Sequence, residues 1–125
     1  MLLDISKHKT IHDIQQDFNL RFPFLKLEFY HPADPAKAKK HLPHSTLLSA
    51  AGLKNGNPIM EVENGMTVAE LERKFRSEYG LDVQVSRKSG LLWLETTMTD
   101  NWSLEKQNEH GMEISLIPKL YPDME

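Results

Sequence analysis

A capped helix leading into a strand is written twice in this chain, and that recurrence limits its fold more than any single motif does. In TVAELERKFRSEYGLDVQV, Thr67 precedes Val68, Leu71, Phe75 and Tyr79, a spacing that puts four apolar side chains on one helical face. Thr67 and Glu70 have the spacing of a capping box: the hydroxyl accepts an amide of the first turn and the carboxylate reaches back to the cap. Gly80 supplies the stop, where a left-handed residue closes a helix without strain. In TIHDIQQDFNLRFPFLKLEF the same roles fall to Thr10, Asp13, Ile11, Ile14, Phe18 and Phe22, with Pro23 as the stop.

Thr67 follows Thr10 by 57 residues, and the same shift lays Leu2, Leu3, Asp4 and Ile5 on Ile59, Met60, Glu61 and Val62. One extra residue in the first copy then brings Leu25, Leu27 and Phe29 onto Leu81, Val83 and Val85. Any two capped amphipathic helices share part of this pattern. A match that crosses three elements predicts strand, helix, strand, twice over, and hence an internal pseudo-duplication.

Between the copies, HPADPAKAKKHLPH (residues 31–44) has prolines and lysines without alternation and reads as a loop. Ser45 can cap a short helix through TLLSAAG, ended by Gly52, and KNGNP (residues 54–58) is a turn. The second copy goes further. LDVQVSRKSGLLWLE has the signature of a β-hairpin, and DNWSLEKQNEHG of a helix starting near Asn101 or Ser103 and ending at Gly111. MEISLI then alternates as a last strand before Pro118. Residues 59–117 thus read β-α-β-β-α-β, the ferredoxin-like order, preceded by a shorter β-α-β(-α) half. The expected protein is one α+β domain built from two related halves, residues 1–53 and 58–118.

The hairpin turn can be placed in two ways. With Lys88-Ser89 as a two-residue turn, Val85 sits opposite Leu92 and Val83 opposite Leu94, while Trp93 points with Gln84 and Ser86 to the other face. With Lys88-Ser89-Gly90 as a bulged turn, Val85 faces Trp93 and the leucines take the far side. Large apolar groups lie on both faces either way, yet helices cover only one face of such a sheet. The second face needs cover from the other half, from the tail IPKLYPDME, from a ligand, or from a second copy of the chain. Leu92, Trp93 and Leu94 are therefore the interface candidates, and a homodimer or protein partner is the expected association.

Chemistry is harder to find. Apolar and charged contents of 39% and 26% are those of a globular chain, and a net charge of −3 gives no general attraction to nucleic acid or anionic membrane. The absence of cysteine removes thiolate chemistry and fits a reducing cytoplasm, the expected location. MLLDISKHK is no signal peptide, and LLSAAGL (residues 47–53) is far too short to span a bilayer. His8 and His12 are split by the cap at Thr10; His31, His41 and His44 sit on the loop with no third ligand fixed, so neither metal nor cofactor is expected. Ser103 and Lys106 have S-x-x-K spacing, but a helix cap explains the serine, and Glu61 and Glu63 read as solvated strand positions. No residue earns a catalytic role. The basic clusters (Lys37, Lys39 and Lys40; Arg73, Lys74 and Arg76; Arg87 and Lys88) lack the aromatic strand a base-stacking sheet needs.

The oddest segment is WLETTMTDNW, where hydroxyls and an acid stand between two tryptophans. Thr97, Thr99, Asp100 and Trp102 could floor and wall a polar pocket, with Asp100 as the acceptor. The sequence thus supports a non-enzymatic interaction or self-associating domain that uses the second sheet face. The alternative is a small-molecule-binding protein or enzyme with its pocket in the loop at residues 96–102.

Overall fold

The computed structural model describes residues 1–31, 40–54 and 56–120, with side chains as far as residue 116. Among these the elements run β1 (Leu2–Asp4), α1 (Ile11–Arg21), β2 (Leu25–Tyr30), β3 (Ile59–Glu61), α2 (Val68–Tyr79), β4 (Asp82–Ser89), β5 (Leu92–Glu95) and α3 (Leu104–Leu120), an α+β arrangement. Most of the loop at residues 31–44, with Lys37 and Lys39, lies outside the described residues, as do Asn55 of the KNGNP turn and the tail from 121.

Both early helices start as their threonines dictate. Thr10 Oγ1 accepts the Asp13 N–H at 3.1 Å while the Asp13 carboxylate accepts the Thr10 N–H at 2.9 Å. Thr67 and Glu70 repeat the exchange at 3.1 and 3.3 Å. Each box satisfies two of the amides a helix start leaves bare and is worth about 1 kcal/mol. Gly80 closes α2 at φ +67°, where any side chain would be strained. Ile11, Ile14 and Phe18 of α1 and Val68, Leu71, Phe75 and Tyr79 of α2 are buried, so both apolar stripes meet one core.

The strands explain why that core is shared. β1 pairs antiparallel with β3 (Leu2 with Glu61, Leu3 with Met60, Asp4 with Ile59), and β2 with β4, from Leu25 opposite Arg87 to Tyr30 opposite Asp82. Each pair joins a strand from the first half to one from the second. Leu25, Leu27 and Phe29 then lie beside Val83 and Val85 on the face that α1 and α2 cover, all of them buried.

Backbone bonds recur at the spacing seen in the sequence. Ile11 N–H donates to Thr46 O (2.9 Å) as Val68 does to Trp102 O (3.1 Å); Leu48 N–H donates to Lys9 O as Leu104 does to Met66 O, both at 2.8 Å. His12 N–H donates to His44 O as Ala69 does to Asp100 O, again both at 2.8 Å. Ile5 N–H donates to Pro58 O while Val62 donates to Met1 O. The segments after β2 and after β5 therefore fold back onto the helix starts in the same way.

Three expectations need correction. The helix at the end of the chain does not stop at Gly111, and MEISLI is not a strand: α3 runs on from Leu104 to Leu120. Residues 59–117 thus read β-α-β-β-α and lack the last strand of the ferredoxin-like order. The reason is packing. A Cβ on Gly111 would lie 2.9 Å from Phe24 Cβ and 3.0 Å from Arg87 Cγ, and Gly111 has no positive φ, so this glycine permits close approach and does not end a helix. The short helix expected after Ser45 is a single turn at residues 48–52, closed by Gly52 at φ +100°. Finally, the hairpin turn is Gly90-Leu91 rather than either placement at Lys88, since Ser89 pairs with Leu92 and Arg87 with Leu94.

Gly111→Ala is expected to cost about 1–3 kcal/mol in urea denaturation through overpacking against Phe24. Gly65→Ala, with nothing within 4 Å of the new Cβ, is expected to leave the midpoint unchanged.

Candidate interaction site

The hairpin follows from its turn. Gly90 has φ +64° and Leu91 does not share the left-handed region, the glycine-first pattern of a type II′ loop, which suits the twist of the flanking strands. This turn lies two residues beyond the Lys88-Ser89 alternative, and an even slide preserves facing. Trp93, opposite Lys88, therefore shares the helix-free face with Ser86 and Gln84, while Leu92 and Leu94 share the helix-side face with Arg87 and Val85.

Neither face of β5 is closed by the described residues. Leu92 is 66% exposed, Trp93 37% and Leu94 42%, and Leu91 in the turn is 89% exposed. On the helix-free side the ammonium groups of Lys26 and Lys88 each stand 5.8 Å from the Trp93 ring centre. Lys26 also pairs with Glu28 at 2.7 Å, and Glu28 takes His41 Nδ1 at 3.1 Å. The His41 ring lies 4.6 Å from that of Tyr30.

The two sheet edges differ. β2 is partly shielded: Tyr30 bridges to His41, and Leu42 N–H donates to Phe29 O at 2.8 Å. β5 has no strand partner on its outer side among the described residues.

Helix α3 crosses the Arg87 end of the helix-side face on a polar seam. Between residues 104 and 116 its buried positions are Leu104, Gln107, Gly111 and Ser115, only the first of them a large apolar residue. Gln107 Oε1 accepts from Arg87 Nη1 at 2.9 Å, and its amide donates to Thr99 O and Oγ1, each at 2.7 Å. Asn108 Oδ1 accepts the Phe24 N–H at 2.8 Å, and Ser115 Oγ accepts the Gly90 N–H at 3.1 Å, which fastens the hairpin tip to the helix. Burial pulls the Arg87 guanidinium below its usual pKa, and its Nε meets no acceptor among the described residues.

The loop at residues 96–102 is built into this seam. Thr96 is buried and donates to Val85 O at 2.8 Å; Thr99 is held by Gln107; the carbonyls of Asp100 and Trp102 accept amides from the start of α2. Thr97 is exposed, and the Trp102 ring, half-buried, carries Lys106 Nζ at 4.3 Å and the edge of His110 at 5.4 Å. Ser103 Oγ accepts the Lys106 N–H at 3.0 Å, which makes Ser103 a helix cap.

Clefts occur elsewhere. One of about 610 Å³ is lined by Leu2, Ile59, Glu61, Lys74 and Tyr79, and one of about 370 Å³ by His12, Gln15, Lys26, Glu28 and His44. The His12 and His44 rings are 5.4 Å apart, but among the described residues no group of three or more His, Asp or Glu is placed to hold a metal ion. No helix among them is long and apolar enough to cross a membrane.

No family model, curated protein or solved structure matches the chain.

The sequence indicated apolar groups on both faces of this strand through the unbroken run Leu91, Leu92, Trp93 and Leu94. It gave no sign of the polar seam, because Gln107, Gly111 and Ser115 are not residues that mark a buried helix face. Gln107→Leu is expected to destabilise the fold by about 1–3 kcal/mol in urea denaturation, since it strands Arg87 Nη1 and Thr99 O. Arg87→Met combined with Gln107→Leu should recover the part of that loss due to Arg87, because those two partners then leave together, while Thr99 O still lacks its donor.

Proposed function

We propose that this chain is a non-enzymatic interaction domain whose contact surface is the outer strand β5, and that it arose by internal duplication of a strand-helix-strand unit. The observation that carries the reading is the exposed row of Leu91 in the turn and Leu92, Trp93 and Leu94 on a strand without an outer neighbour among the described residues. Burying residues of this kind is worth on the order of 1.5–3 kcal/mol each, which is a driving force for association. Natural edge strands are commonly blunted by lysine, proline or a bulge, and β5 has none of these between Leu92 and Leu94.

The duplication is supported by the repeated capping boxes and by the backbone bonds that recur at the same spacing. Set side by side, the copies differ where an added function would sit. The turn at residues 48–52 ends at Gly52, whereas its counterpart continues into α3, which carries Ser115 to the hairpin.

The reading in which residues 96–102 bind a small molecule has less to support it. Thr96, Thr99 and the backbone of Asp100 and Trp102 are already bonded within the fold.

The double variant Leu92→Lys, Leu94→Lys tests the interaction reading. It is expected to keep the wild-type circular dichroism and a melting midpoint within a few degrees, while binding of an apolar-surface dye falls. Unfolding of this variant would show that the leucines belong to the core and would remove the proposed surface.

A further inference from the structure

We infer that the partner of β5 is β5 of a second copy, paired antiparallel about a two-fold axis so that two three-stranded sheets join into one. This rests on the interaction reading above and specifies the partner.

The hydrogen-bond pattern of the hairpin selects the residues. A two-residue loop makes Ser89 and Leu92 the closing bonded pair, so Leu92 and Leu94 bond inward to β4. The backbone N–H and C=O groups of Trp93 and Glu95 consequently point outward. Antiparallel pairing of two such edges must set outward residues against outward residues. One register that does so places Trp93 opposite Glu95 of the second copy and Leu94 opposite its own equivalent.

Charge favours that register. The Trp93 ring is flanked by the ammonium groups of Lys26 and Lys88, both 5.8 Å from its centre, on the face where Glu95 also projects. Glu95 of the second copy would lie beside Trp93 and face Lys88, whereas Lys26 is already paired with Glu28. The two-fold axis creates the same contact a second time. On the opposite face Leu94 meets Leu94, flanked by Leu92, and water is removed from an exposed apolar stretch of strand. The strand thus brings its own apolar and charged complements, which a partner of other sequence would have to supply separately.

The contact is small. Pairing covers the edge of β5 and parts of Trp93, Leu94 and Glu95, while Leu91 in the turn lies outside the paired stretch, so the buried area falls below the roughly 1,000 Å² of specific interfaces. Association is correspondingly weak and reversible on dilution, and is populated at concentrations on the order of 100 µM.

Charge reversal in the full chain separates this pairing from association through any other surface. Lys88→Glu and Glu95→Lys are each expected to weaken dimerisation by about tenfold or more in sedimentation at concentrations on the order of 100 µM. An equimolar mixture of the two variants should sediment as a dimer again, because its two contacts, one reversed and one as in the wild type, are then both of opposite charge. Circular dichroism of each variant checks that the fold is kept. A wild-type chain that is strictly monomeric at that concentration overturns the second copy as partner. So does a wild-type dimer indifferent to both reversals, or a mixture that fails to recover. In each of those cases a folded Leu92→Lys, Leu94→Lys variant with reduced dye binding leaves the interaction reading itself standing, so the two can fail independently.

Discussion

Antiparallel pairing between strands far apart in the chain holds this domain together. β1 lies on β3 and β2 lies on β4, so each pair takes one strand from either side of residues 31–58. Neither α1 nor α2 can bury its apolar stripe against strands of its own half alone, since each half contributes only part of each sheet to the shared core. The capping boxes and stripes make the helices possible locally; the pairing makes them stable. It also places β4 centrally, and with it the hairpin that carries β5 to the edge.

The last helix is held by different physics. Where α1 and α2 meet the sheet through phenylalanine, leucine and valine, α3 meets it through Gln107, Asn108, Gly111 and Ser115, each bonded or packed against Phe24, Arg87, Lys88 or Gly90. A polar seam of this kind contributes little net energy per bond but is demanding in geometry, because each buried group left unpaired is costly. Its effect is positional. It fixes the hairpin tip and the loop at residues 96–102, and so holds Leu92, Trp93 and Leu94 in place while the described residues leave them partly exposed.

That combination bears on the proposed function. A mobile loop with apolar residues would collapse onto its own domain, whereas a strand clamped at its tip and along β4 presents the same side chains to a partner at lower entropic cost. The lysines around Trp93 keep one face of the strand charged, which favours a partner with a carboxylate there and disfavours indiscriminate stacking.

Much of the architecture was legible in the sequence. Thr10 with Asp13, Thr67 with Glu70, the two apolar stripes, the stop at Gly80 and the apolar character of both faces of residues 91–94 are set by interactions within a few residues, which side-chain spacing records directly. The hairpin turn was misplaced by two residues because Lys88, Ser89 and Gly90 all suit turns, and only the pairing with β4 selects Gly90-Leu91. The course of α3 beyond Gly111 was not legible at all. Alternation in MEISLI favoured a strand, and the glycine looked like a stop, but Phe24, Arg87 and Gly90 lie about twenty residues or more from the helix positions they meet. Local spacing in the sequence determined where helices begin and which sides of them are apolar. Which strands meet, how far the last helix runs, and that β5 has no outer strand among the described residues were decided only when distant groups supplied the bonds and the close contacts that no neighbouring residue could.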